Sequence, residues 1–121
     1  MEKKLVLLVN SDVLSLERLQ GILEKNKYQV RAVQSGDQAI SFMNSTKPDC
    51  VVFEVDLPGM SGTIMYSKIR RSPELKDIPC VVCSSVGPRP VDFGTGIPVL
   101  RKDCSEAEFL ETVNTAVGIA V

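Results

Sequence analysis

Apolar and polar residues follow two rhythms along the chain, and these exchange at a regular pitch. Leu5 to Val9 is an uninterrupted apolar run, as expected of a parallel strand covered on both faces. After the polar triplet Asn10-Ser11-Asp12, which offers N-cap oxygens, Val13, Leu16, Leu19 and Leu23 recur at helical spacing as far as Asn26. Tyr28 to Val33 alternates like a half-exposed strand, and Ser35 with Gln38 forms a capping box before a helix carrying Ala39, Ile40 and Met43. Lys47-Pro48-Asp49 breaks that helix and leads into a third strand, Cys50 to Phe53. Thr63 to Arg71 predicts a third helix with Ile64, Met65 and Ile69 on its buried side, and Ile78 to Cys83 predicts a fourth strand. Val99-Leu100 predicts a short fifth strand, and Ser105 with Glu108 caps a final helix that buries Phe109, Leu110, Val113 and Val117.

Strands alternating with helices at this pitch predict right-handed crossovers and an α/β fold: a five-stranded parallel sheet with helices on both faces. One unit departs from the repeat. Between strands four and five, Val86 to Pro98 holds Gly87, Pro88, Pro90, Gly94, Gly96 and Pro98, too many breakers for a regular helix. The fourth helix is therefore expected to be shortened or replaced by a loop. That loop is either a tolerated shortening or a partner-binding element presenting Arg89 and Phe93 on a proline-stiffened frame.

Composition narrows the function. The 121 residues suit one domain spanning 1–121, and 44% hydrophobic and 24% charged residues with a net charge of −1 are ordinary for a globular protein. There is no basic excess to support nucleic-acid binding. Apolar runs far shorter than a bilayer, and a start that lacks a signal-type hydrophobic region, predict a cytoplasmic protein without membrane association. The chain has no histidine, which removes Ser-His and Cys-His nucleophiles, imidazole bases and His-containing metal sites.

Cys50, Cys80, Cys83 and Cys104 are expected to be reduced, packed thiols, because a domain of this size needs no disulfide framework. Cys80-Val-Val-Cys83 lies within a strand that points the two thiols to opposite faces, unlike a redox pair at a helix start. The turn after strand one has no glycine to let a phosphate approach, which argues against a flavin or nucleotide binder. No cofactor and no metal are expected.

Several separately placed motifs resemble the receiver domain of bacterial response regulators, over essentially the whole chain. They are the Leu5–Val9 strand with its polar triplet, Lys47-Pro48-Asp49, and Asp56-Leu57-Pro58-Gly59-Met60-Ser61-Gly62. Ile78-Pro79, Ser84 and Leu100-Arg101-Lys102 complete the set. The resemblance implies a flavodoxin-like sheet with a site at the C-terminal strand ends. In such domains an acidic pair after strand one and an aspartate ending strand three hold magnesium. That aspartate takes a phosphoryl group from a histidine kinase, while a Ser or Thr after strand four and a Lys after strand five contact its oxygens. An aromatic residue on strand five reports the change.

Carried onto this chain, the acidic pair falls on Asn10 and Ser11, with only the adjacent Asp12 charged, and the acceptor falls on Glu54. Ser84 and Lys102 match the hydroxyl and the lysine; Asp103 stands where a proline usually follows, and the switch aromatic falls on Val99. A hard divalent ion needs a carboxylate cluster, and the extra methylene of Glu54 misplaces a nucleophile. It also carries the carboxylate toward Ser84 and Lys102, so a Glu54–Lys102 ion pair is expected. Glu54 is then either a phosphate mimic or simple charge neutralisation.

Asn10 and Ser11 read as helix-capping residues, and Val99, stiff at χ1, as a plain strand residue packing on the last helix. These expectations describe a degenerate receiver: not an enzyme, but a phosphorylation-independent module for protein partners in a signalling pathway, compatible with a homodimer. The alternative is a receiver still taking phosphate from a histidine kinase on Asp56, although that residue is out of register with Pro58.

Overall fold

The computed structural model describes residues 3–84 and 97–118. Five strands, β1 (Leu5–Val9), β2 (Gln29–Val33), β3 (Cys50–Phe53), β4 (Cys80–Ser84) and β5 (Val99–Arg101), form one parallel sheet in the order β2-β1-β3-β4-β5. The helices are α1 (Val13–Lys25), α2 (Gly36–Met43), α3 (Gly62–Arg71) and α4 (Glu106–Ala116). The expected α/β architecture is therefore present. The expected shortening of the fourth helix, and with it Arg89 and Phe93, falls outside the described residues. Among the described residues no helix is long and apolar enough to cross a membrane.

Strand alternation divides the core into two layers. Val6, Leu8, Cys50, Val52, Val81, Cys83 and Leu100 face α1 and α4, meeting Leu16, Leu19, Leu23, Phe109 and Val113. Leu7, Val9, Val51, Phe53, Cys80 and Val82 face α2 and α3, meeting Ala39, Met43, Met65 and Ile69. The registers Leu8↔Val52 and Val52↔Val81 keep one face continuous across three strands, which is why apolar runs without polar alternation fold as the sheet centre. By contrast β2, at the sheet edge, alternates exposed and covered residues.

Two expectations about faces need correction. Ile64 is 50% exposed, because Gly62, Met65 and Ile69 already define the inward stripe of α3 and Ile64 lies about 100° off it. Val99 packs with the α2–α3 layer rather than on the last helix; the next residue, Leu100, takes the side facing α4. Each follows from a period that fixes which residues share a face but not which face meets which neighbour.

Close backbone approach determines where β3 delivers its last residues. A Cβ on Gly62 would overlap the carbonyl oxygen of Glu54 and lie 2.9 Å from the Phe53 ring, while the Gly62 N–H donates to the Val55 carbonyl at 2.8 Å. Only glycine lets the start of α3 sit on the end of β3. Between them, Gly59 turns the loop at φ +73°.

Candidate functional site at the strand ends

The residue following each of three strands remains held by ladder-type backbone bonds. The N–H of Asn10 donates to Val33 O at 3.1 Å, that of Glu54 to Val9 O at 3.0 Å, and that of Lys102 to Ser84 O at 2.9 Å. Asn10, Glu54, Ser84 and Lys102 are thereby gathered at the C-terminal edge of the sheet, where open α/β sheets bind ligands. Among the described residues, the buried polar and charged side chains are Asn10, Glu54 and Ser84, all in this cluster. Burial of polar groups is costly unless they are bonded, so their concentration at one edge marks the site out from the rest of the core.

Asn10 Oδ1 accepts the Asp12 N–H at 2.9 Å, closing an Asx turn. Asp12 is the N-cap of α1: Oδ1 accepts from Leu14 N at 3.1 Å, and Oδ2 from the Ser15 hydroxyl at 2.9 Å. The capping role expected of Asn10 and Ser11 therefore belongs to Asp12, because α1 begins one residue later than they could cap. Ser11 is exposed.

Lys102 completes this group. Its Nζ lies 3.0 Å from Asp12 Oδ2, with both side chains partly exposed. The hydrogen bond to Lys102, then that to Ser15, holds the Asp12 carboxyl below its usual range; the bond to Asp12 raises the Lys102 ammonium, and the charge of Glu54 adds to this through space. The expected Glu54–Lys102 ion pair is thus replaced by Asp12–Lys102. Glu54 Oε2 turns back to its own loop, accepting from Val55 N at 2.8 Å and less closely from Asp56 N at 3.4 Å. A flexible glutamate beside unsatisfied loop amides caps them, whereas the shorter Asp12 is already aimed by its helix.

Asp56 is exposed on the loop beyond Glu54. Beside the ion pair lies an open depression of 580 Å³, lined by Leu14, Ser15, Arg18, Ser84, Arg101 and Lys102 among others. Arg18, one of these lining residues, donates to the Cys104 carbonyl at 2.7 Å.

The oxygens present do not fit a hard divalent cation. Such an ion takes a near-octahedral set of oxygens and gives up water reluctantly. Here Asp12 is engaged by Leu14, Ser15 and Lys102, and Asn10 by the Asp12 amide. Among the described residues no three His, Cys, Asp or Glu side chains converge on a metal-sized site. Burial pushes Cys80 up to about 11 and Cys83 up to about 12, the opposite of the lowered thiol that a redox pair uses.

Sequence reasoning located Asn10, Glu54, Ser84 and Lys102 but missed the partnership of Asp12 with Lys102 and the steric role of Gly62. The signal for Asp12 was present as an aspartate before the first helical residue with Ser15 three positions on. Gly62, beside the N-cap Ser61, gave no comparable signal.

Residues 6–93 match the family model of the response regulator receiver domain. The chain is 35% identical over 88 residues to the two-component response regulator-like protein APRR1 of Arabidopsis thaliana; this covers 71% of the chain but only 14% of that relative's length. It is 22% identical over 121 residues to the polar-differentiation response regulator DivK of Brucella ovis, covering 97% of this chain and 98% of the relative. The structure of the chemotaxis response regulator CheY4 of Vibrio cholerae matches with a TM-score of 0.86 at 18% identity, over 95% of this chain and 99% of the other, a likeness of fold. Strand order, strand-end cluster and family match agree: this chain belongs to the response regulator receiver domain family of two-component signalling.

Proposed function

We propose that this receiver domain works without phosphorylation, as a cytoplasmic, non-enzymatic module that binds protein partners in bacterial signal transduction. The observation carrying this reading is the state of Glu54. Its carboxylate is buried at the address of the family's acceptor and bonded to the backbone amide of Val55, an arrangement suited to capping a strand end and not to in-line attack on a phosphorus atom. Asn10 and Ser11 in place of acidic residues remove the charge that would recruit a metal to neutralise the transferring group. Because Lys102 is given to Asp12, Glu54 is better read as local neutralisation than as an imitation of phosphate.

The test is incubation of the protein with Mg²⁺ and acetyl phosphate, followed by intact-mass measurement. An unmodified mass is expected. A phosphoryl adduct mapped by digestion to Glu54 or Asp56 would overturn the reading, and Asp56 would restore the phosphate-accepting alternative. Beryllofluoride with Mg²⁺ gives an independent check: saturating NMR shifts around residues 54, 84 and 102 would contradict the proposal.

A further inference from the structure

Two carboxylates lie at the ends of β1 and β3: Asp12, partly exposed, and Glu54, buried. In a metal-dependent site a dication would offset such charges. We propose that Lys102 is the resident cation of this site, and that its ammonium, held by Asp12, takes the neutralising place of a divalent ion and excludes one. The inference deepens the phosphorylation-independent reading and rests on it for the point that the site works without metal.

The geometry at both ends of the pair supports this role. The Lys102 backbone N–H is fixed by the Ser84 carbonyl at 2.9 Å, so the lysine stem starts from the sheet and not from a free loop. Asp12 is fixed as firmly: its amide is held by Asn10 Oδ1, and its oxygens receive Leu14 N and the Ser15 hydroxyl before the ammonium arrives at 3.0 Å. An incoming Mg²⁺ would have to shed water, displace a like-charged group and compete with the cap of α1 for the same oxygens. An ammonium needs none of this: it is a compact charge with three donors, carried by the chain itself. The charge of Glu54 adds to the field at the same ammonium while its Oε2 stays on the Val55 amide, so Asp12 alone holds the lysine directly.

The test uses Mg²⁺ alone as probe and amide NMR as readout. Wild-type protein is expected to show no saturable shifts at residues 10–14, 54–56 or 101–103 through millimolar Mg²⁺, and its Lys102 ammonium resonance should be unmoved by the ion. Lys102→Met should bind Mg²⁺ about tenfold or more tightly than wild type, because one repelling charge has gone. Adding Asp12→Asn should abolish that gain, and Lys102→Arg should behave as wild type. If Lys102→Met does not fold, the ammonium resonance of the wild type decides alone: its displacement by Mg²⁺ overturns the proposal, and its persistence upholds it. A folded Lys102→Met variant that binds no better than wild type overturns the inference and leaves the phosphorylation-independent reading standing. Saturable binding to wild type overturns the inference, and the phosphorylation-independent reading falls with it only if acetyl phosphate also leaves a phosphoryl adduct.

Discussion

At the scale of single residues, Gly62 and Asp12 hold the site together by different physics. Gly62 acts by having no side chain. In Gly62→Ala the new methyl meets backbone that cannot yield, so the variant should lose about 1–3 kcal/mol, read as a lower urea midpoint with unchanged slope. Asp12 acts by charge. Its carboxyl titrates below the ordinary 3.8, so its contribution to stability is present above that value and disappears as pH falls through the depressed one. Lys102 is raised above its ordinary 10.5, so its contribution is present below that value and disappears as pH climbs through the raised one. Urea melts across pH should therefore show a constant gap between wild type and Asp12→Asn through neutrality, closing at both extremes. A gap that widens on acidification would contradict the pairing.

At the scale of elements, α4 shares the cover of one sheet face with α1, and Phe109 is fully buried there. Phe109→Ala should cost about 3–5 kcal/mol, whereas Ser105→Ala, which removes the hydroxyl bonded to the Glu108 amide, should cost about 1 kcal/mol. Thermal melts should rank them in that order.

Every described strand and helix was legible in the sequence, because buried parallel strands and capped amphipathic helices leave strong periodic marks. The bounds moved by a residue or two: β4 begins at Cys80 because Ile78 still closes the preceding turn onto Leu75 O. What periodicity could not supply was the neighbour of a given face, hence the corrections at Ile64 and Val99. Nor could it decide which carboxylate Lys102 would choose, since that depends on loop amides drawing Glu54 away.

At the scale of the whole molecule, all four cysteines are buried, and burial raises each thiol. At neutral pH the folded protein should react with a thiol reagent only as fast as it opens, and denaturant should release four reactive groups. Fast labelling of the native protein would contradict this packing. The strand order has a further consequence, in time. The strand-end cluster draws on residues 10, 54, 84 and 102, and β1 and β3 can pair well before β5 exists. During synthesis the ribosome must deliver Lys102 before Asp12 acquires its counter-ion. A nascent chain stalled before that point can build most of the sheet yet leaves Asp12 without its lysine, so the strand-end site closes later than the sheet that carries it.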